Sequence, residues 1–244
     1  EIKRSIDNAD AIINDYLFIK EEIVEHFEID QKHIHVVNLA HSGEFFQRDE
    51  LATLNTLNKY GLSHGQYTLY AGTIEPRKNI SNLINSYSLL PQTIRSKFPL
   101  VLVGHKGWNN EGIFELIENA QKQGWLKYLG FVPEEDLPLL YSGARLFAFP
   151  SIYDGFGLPF LEAMASGLPV VSSNRSSLPE VCGDAALLCD PKDIEGLTAA
   201  LLSGVTDESW RSAAINKGLT RAQSFSWARC GDETIDIYEK YSAV

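Results

Sequence analysis

Cysteine is scarce in this sequence of 244 residues. Its three cysteines, Cys182, Cys189 and Cys230, form no C-x-x-C pair. An odd set without that spacing favours reduced thiols over a disulfide framework or a zinc site. The sequence also has no apolar run long enough to cross a bilayer, and no pattern typical of a signal peptide. These absences predict a cytoplasmic protein.

Positive charge is also in short supply. Lysine and arginine together number 21 against 32 aspartates and glutamates, which gives a formal net charge of -11. A surface of this charge repels phosphate backbones, so we expect no broad nucleic-acid-binding face and no nucleic-acid partner. The composition remains compatible with a small local pocket for an anion.

Two ligand-binding motifs are missing. No G-x-G-x-x-G occurs, which removes the dinucleotide-binding fingerprint. No two aspartates are separated by a single residue, so the metal-binding D-x-D motif is missing as well. We therefore expect no metal site and no cofactor. A bound diphosphate would have to be neutralised by cations and helix amide groups.

Apolar stretches alternate with helical ones along most of the chain. Residues 9–37 have a strand, helix, strand pattern, and the polar segment 38–50 follows as a hinge. From Gln66 onward, near-continuous apolar strands alternate with helices, and three helices close the chain. This pattern predicts a Rossmann-like, doubly wound parallel sheet of the α/β class. The predicted strands after Gln66 are 67–71, 100–103, 126–129, 146–149 and 170–172, and the predicted helices include 113–120, 134–141, 158–165 and a short one near Pro179.

The loops at the carboxyl ends of such strands are candidate ligand sites. After the first of these strands, Gly72 is followed by Arg77 and Lys78, just before a helix. Arginine offers a planar fork and lysine a point charge, so the pair can hold a diphosphate. The alternative is a solvated turn whose two cations extend into water. The next loop carries His105 and Trp108, which we interpret as packing and solvent residues.

Residues 150–163 form the most informative loop. Two glycines flank an aromatic residue, and Pro159 falls in the first turn of the helix that follows. The N–H groups of Phe156, Gly157 and Leu158 would then point outward at the positive end of that helix. The sequence therefore predicts an anion site made of backbone.

Two carboxylates accompany this loop. Asp154 precedes the helix and Glu162 is expected in its first turn; both could accept hydrogen bonds from sugar or ribose hydroxyls. The alternative for Glu162 is structural, because a carboxylate in a first turn stabilises the helix dipole without any ligand. Further along, Ser177 and Glu180 have the S-x-x-E spacing of a capping box, which predicts a structural role.

Taken in order, these motifs resemble the carboxyl-terminal domain of the GT-B-type, metal-independent retaining glycosyltransferases of the large group 1 family. Bacterial mannosyltransferase-like members show the likeness in particular. It covers the chain from about Gln66 to the end, although Asp154 stands where the family usually has glutamate, and Thr73 where many members have arginine. The segments that carry the resemblance are 72–79, 131–138, 154–163, 177–181 and 225–227.

The resemblance implies roles for these residues. Arg77 and Lys78 would grip the diphosphate of a nucleotide-sugar donor, and Asp154 would face the transferred sugar. These three are the candidate catalytic residues. Glu162 would accept hydrogen bonds from the ribose hydroxyls, and backbone near Phe131 and Val132 would meet the base. The candidate donor-binding set is Gly72, Phe131, Val132, Phe156, Gly157, Leu158 and Glu162.

The resemblance also implies an enzyme that moves a hexose to a glycan or lipid-linked acceptor, with GDP-mannose as the favoured donor. Residues 1–46 would be a remnant of the amino-terminal acceptor domain with the hinge, and 47–244 the nucleotide-sugar-binding domain. The isolated chain is therefore expected to be inactive, and the missing part leaves room for peripheral contact with the inner face of the cytoplasmic membrane. Two alternatives stay open: a non-catalytic nucleotide-sugar-binding module, and a nucleotide-sugar epimerase of the same fold.

Overall fold

The computed structural model describes residues 2–242. Two parallel sheets are present there, one of two strands and one of six. The strands are β1 Ile12–Asn14, β2 Ile34–Val36, β3 Thr68–Ala71, β4 Leu100–Val103, β5 Leu126–Gly130, β6 Leu146–Phe149, β7 Val170–Ser173 and β8 Ala186–Cys189.

Helices connect the strands and close the chain. Short 3-10 turns also occur at Gln31–His33 and Pro76–Lys78. The helices are α1 Ile2–Asp7, α2 Leu17–Phe27, α3 Glu50–Lys59, α4 Ile80–Ser88, α5 Gln92–Lys97, α6 Glu111–Lys122, α7 Leu137–Gly143, α8 Leu158–Ala165, α9 Leu178–Cys182, α10 Ile194–Thr206, α11 Glu208–Ala222 and α12 Trp227–Ser242.

The six-stranded sheet confirms the predicted doubly wound α/β fold. Its strand order is β5-β4-β3-β6-β7-β8, and every pair in it is parallel. The chain moves outward in one direction from β3 and in the other from β6, so the order reverses between these two neighbours. The loops after β3 and β6 therefore lie side by side at the topological switch point, which is where such sheets bind ligands.

The central strands form because they can be buried on both faces. All four residues of β3, β4, β6 and β7 are buried, as expected for a parallel sheet covered by helices. Aromatic side chains fill the layer below the switch point: Tyr70 stacks on Phe149 at 5.4 Å between ring centroids, and Phe160 of α8 meets Phe149 edge-on at 4.9 Å. Each such ring contributes about 1.5–3 kcal/mol by burial, so the floor of the site is rigid.

A smaller unit precedes this sheet. Residues 9–37, here called the amino-terminal unit, contain β1, α2 and β2, and β1 pairs with β2. Helix α12 returns to this unit, where Tyr241 lies 3.2 Å from His35 between hydroxyl and ring nitrogen. Phe45 packs edge-on against Tyr141 at 5.2 Å. The boundary between residues 46 and 47 stays a prediction.

The sequence patterns missed four elements and shifted one. They did not indicate α1, α3, α5 or β8, each of which is short or weakly periodic. The helix predicted at 134–141 begins instead at Leu137, because residues 133–136 form a turn closed by the Asp136 N–H donating to the carbonyl of Pro133 at 3.1 Å. Pro138 then occupies the first helical turn, a position that proline tolerates.

Candidate active site

The loops after β3 and β6 meet at the switch point through their charged side chains. The Lys78 ammonium group forms an ion pair with the Asp154 carboxylate, and both residues are 8% exposed. Lys78 also lies 4.8 Å from the centre of the Phe149 ring. Lys78 is thus buried in an ion pair, and the interpretation of this segment as a solvated turn is wrong for its lysine.

Arg77 belongs to the same cluster but is more open to solvent. Its guanidinium group lies 2.6 Å from the Glu75 carboxylate and 3.8 Å from that of Asp154, and it donates to the carbonyl of Tyr153 at 3.1 Å. The arginine side chain is 39% exposed, which leaves part of its fork free for an anion. The structure therefore brings the three candidate catalytic residues together; their roles stay predictions.

Asn79 holds the two loops in register. It adopts a left-handed backbone conformation with φ of 60°, which asparagine tolerates better than most residues. Its buried side-chain amide donates to the carbonyls of Pro150 at 3.0 Å and Pro191 at 2.7 Å. The sequence analysis did not single out Asn79, although an asparagine directly after a pair of cations and before a helix is typical of such a turn.

The amide site predicted at the start of α8 has the expected backbone geometry. Gly157 precedes the helix with φ of 78°, and its N-cap position makes no side-chain hydrogen bond. Within residues 2–242, the N–H groups of Phe156, Gly157 and Leu158 donate to no protein atom. Three such amides at the positive end of a helix, in the loop that carries Asp154, are an arrangement that attracts an anion.

Glu162 lies one turn further into α8 than the sequence suggested. It is the fifth residue of a helix that begins at Leu158, and no acidic residue lies in the first turn. Because the dipole effect fades beyond the first turn, the structural interpretation of Glu162 loses its basis. Burial raises the pKa of Glu162 to about 7, and the Tyr141 hydroxyl offsets part of this rise.

A cleft of about 250 Å³ runs along the carboxyl ends of β3, β4 and β5. Gly72, Phe131 and Val132 line it, together with Gly104 and His105; their role in donor binding stays a prediction. A side chain at Gly104 would lie 1.9 Å from the carbonyl oxygen of Gly72, so only glycine permits the two loops to approach. The exposed His105 ring stacks on Phe131 at 4.8 Å between ring centroids, and the two rings form a flat edge of the cleft. His105 had been interpreted only as a packing and solvent residue.

The capping box predicted at Ser177 and Glu180 is wrong. The Ser177 hydroxyl caps nothing in α9 and instead donates to the carbonyl of Asp154 at 2.8 Å, next to the Ser176 hydroxyl at 2.6 Å. Glu180 accepts from the N–H groups of Leu17 and Phe18 in α2, at 3.2 and 3.3 Å. Both side chains form hydrogen bonds outside α9, because this helix lies between the Asp154 loop and the amino-terminal unit.

Within the described part of the chain, no group of three or more histidine, cysteine, aspartate or glutamate residues is arranged to hold a metal ion. No helix between residues 2 and 242 combines the length and apolar composition required to span a bilayer.

Fold and site together define the class: a Rossmann-like α/β domain with a charged cluster of Arg77, Lys78 and Asp154 at its switch point. The sequence matches the family model described as "Glycosyl transferases group 1" over residues 56–221. The chain belongs to this family of glycosyltransferases.

Individual relatives agree with that assignment. The chain is 44% identical over 238 residues to the O-antigen chain mannosyltransferase B of Escherichia coli, covering 98% of this chain and 62% of that protein. It is 33% identical over 240 residues to the serotype-specific mannosyltransferase WbdA of Escherichia coli, covering 96% of this chain and 29% of that protein. The chain thus spans less than two thirds of the length of these relatives.

Solved structures show the same fold. Sucrose-phosphate synthase from Thermosynechococcus elongatus superposes with a TM-score of 0.84 at 23% identity, covering 99% of this chain and 61% of that one. Anabaena HepE in complex with UDP-glucose gives a TM-score of 0.82 at 18% identity, covering 97% of this chain and 64% of that one. The described residues therefore have an α/β architecture like that of the halves of GT-B glycosyltransferases.

Proposed function

We propose that the complete protein transfers mannose from a nucleotide-diphosphate sugar to a polysaccharide or lipid-linked glycan of the O-antigen type, and that this chain binds the donor. The observation that carries the proposal is the ion-paired cluster of Lys78, Arg77 and Asp154 at the switch point, followed in the same loop by three amides that have no protein acceptor. The 44% identity to an O-antigen mannosyltransferase supports the choice of sugar and acceptor.

The charges of the site suit a reaction in which a diphosphate departs. Lys78 forms an ion pair with Asp154, and Arg77 with Glu75. When the donor binds, both cations would also contact its diphosphate. The amides at the start of α8 would donate hydrogen bonds to the same group. Cations and amides fixed before the reaction stabilise the charge that develops on the leaving group, so this arrangement needs no metal ion.

The transfer step itself exchanges one bond for another at the anomeric carbon. The bond from that carbon to the diphosphate oxygen breaks, and the acceptor oxygen bonds to the same face, which retains the configuration. The acceptor proton passes to the departing diphosphate. Within residues 2–242 no side chain is an obvious nucleophile for a covalent intermediate, and Asp154 is occupied by Lys78. Asp154 would orient the sugar and keep Lys78 in place.

The test of the diphosphate role is Lys78→Ala in the complete protein. Loss of a preorganised cation at a developing charge lowers kcat/KM by about a hundredfold or more. Lys122→Ala is the matched control, because Lys122 is exposed at the end of α6 and forms no ion pair within the described residues. A Lys78→Ala rate within about twofold of the native rate would refute the role.

The assay also separates the alternatives. Nucleotide binding without turnover would favour a non-catalytic binding module, and interconversion of donor sugars without acceptor would identify an epimerase. Calorimetry with GDP against UDP would choose the base; we favour GDP, and tighter UDP binding would contradict GDP-mannose as the donor. Peripheral membrane contact stays a prediction, as does the inactivity of the isolated chain.

A further inference from the structure

Helix α9 and the two serines before it contact two separate parts of the structure. On one side, Ser176 and Ser177 donate to the carbonyl of Asp154 at 2.6 and 2.8 Å. On the other side, the Glu180 carboxylate accepts from the N–H groups of Leu17 and Phe18 in α2, at 3.2 and 3.3 Å. A short helix thus connects the loop that carries Asp154 to the amino-terminal unit.

Helix α2 depends on this distant carboxylate because it has no cap of its own. Its N-cap residue is Tyr16, which makes no side-chain capping bond, and no acidic residue lies in its first turn. The first N–H groups of a helix need acceptors, and a negative charge there is favourable for the dipole. The Glu180 carboxylate supplies both the acceptor and the negative charge, although it lies 163 residues from Leu17 in the sequence.

The capped turn of α2 lies directly on the loop formed by residues 150–157, here called the donor loop. The buried Tyr16 ring packs on Phe156 at 4.6 Å, and Phe156 contributes one of the three unpaired amides. The Tyr153 hydroxyl donates to the Glu22 carboxylate at 2.6 Å. The position of α2 is therefore coupled to the donor loop by contacts that begin where Glu180 holds the helix.

We propose that Glu180 is a positioning residue for sugar transfer. By capping α2 it keeps the amino-terminal unit seated on the donor loop, and this fixes the distance between the bound donor and an acceptor held on the amino-terminal side. Within residues 2–242, Glu180 forms no ion pair with Arg77 or Lys78, so it acts through geometry rather than through the diphosphate. This inference rests on the proposed function.

The experiment compares Glu180→Ala, Glu180→Gln and Glu195→Ala in the complete protein. Glu195 is the matched control because it also lies in the first turn of a helix but is exposed, with no side-chain partner among the described residues. Three quantities are measured: kcat for mannosyl transfer, the Kd of the donor nucleotide, and hydrogen exchange at the Leu17 and Phe18 amides.

For Glu180→Ala we expect kcat to fall about tenfold to a hundredfold, since a small misplacement of the reacting groups lowers the reaction rate by about that much. The nucleotide Kd should stay within about threefold, because the phosphate contacts remain. Exchange at the two amides should accelerate at least about tenfold, as charge-assisted hydrogen bonds are lost. Glu180→Gln keeps one acceptor oxygen, so its kcat should recover most of the loss.

Two results would overturn the inference. One is unchanged kcat or unchanged amide exchange in Glu180→Ala. The other is an equal loss of kcat and nucleotide affinity together with a lower Tm and no rescue by glutamine, which would mark Glu180 as purely structural. If the native protein transfers no sugar, the proposed function fails, while amide exchange still reports whether Glu180 holds α2.

Discussion

Donor binding should depend on pH through Glu162. Burial raises the pKa of its carboxyl group from 4.5 to about 7. If only the ionised form accepts hydrogen bonds from both ribose hydroxyls, the competent fraction is about one tenth at pH 6 and about nine tenths at pH 8. We expect the Kd of the nucleotide sugar to fall about tenfold over this range.

Whereas donor binding should strengthen as the pH rises, the raised pKa of Glu162 should make the folded protein less stable as the pH rises. Because the pKa of Glu162 is higher in the folded state than in the unfolded chain, its stabilising contribution is complete below pH 4.5 and is lost as the pH rises through about 7. The ionised carboxylate then destabilises the fold by at most about 3 kcal/mol. Glu162→Gln should therefore raise Tm at pH 8 and have little effect at acidic pH, which melting curves of the ligand-free protein would report.

The binding assay is calorimetry with an intact nucleotide sugar at several pH values. A free nucleoside diphosphate is unsuitable, because its terminal phosphate titrates near pH 6, about where Glu162 does. Glu162→Gln is the control and should bind weakly with a nearly flat profile. The reasoning fails if the native Kd varies by less than about twofold from pH 6 to pH 8, or if the glutamine variant keeps the native slope.

Two substitutions test the packing of the site, and a third in α12 serves as a contrast. Gly104→Ala places a methyl group 1.9 Å from the Gly72 carbonyl, so we expect at least about 2 kcal/mol of destabilisation in denaturant unfolding and weaker nucleotide binding. Gly231→Ala in α12, where no atom lies within 4 Å of the added carbon, should instead stabilise by about 0.5–1 kcal/mol without affecting binding; destabilisation there would contradict the helix. Asn79→Ala removes two buried hydrogen bonds and should cost about 2–4 kcal/mol, also measured by unfolding; a loss below about 0.5 kcal/mol would show that the amide does not hold the loops.

Sequence reasoning was most successful where a pattern is local. The strands at residues 100–103 and 146–149 and the helix at 158–165 were predicted with the bounds that the structure has, because a fully apolar run or an amphipathic period specifies its own burial. It failed for β8, whose four residues Ala186–Cys189 contain no β-branched side chain and form an edge strand. Such a strand is decided by its neighbour β7 rather than by its own composition.

The candidate site shows the same division. Two adjacent cations after a strand, and a glycine-flanked loop before a proline-started helix, could be recognised as anion-binding features one at a time. The ion pair between Lys78 and Asp154 could not be predicted, because the two residues are 76 positions apart in the sequence. The spacing of Ser177 and Glu180 fits a local capping box equally well, so the sequence could not exclude the contacts that the structure has.

The sequence by itself determined the alternation of buried strands with helices, and hence the parallel sheet, because each element carries the pattern of its own burial. Only the tertiary structure decided the strand order that puts the loops after β3 and β6 side by side. It also decided that Glu180 caps a helix of the amino-terminal unit. These are meetings between residues far apart in the chain, and a hydrogen bond or an ion pair across such a distance leaves no periodic trace in the sequence.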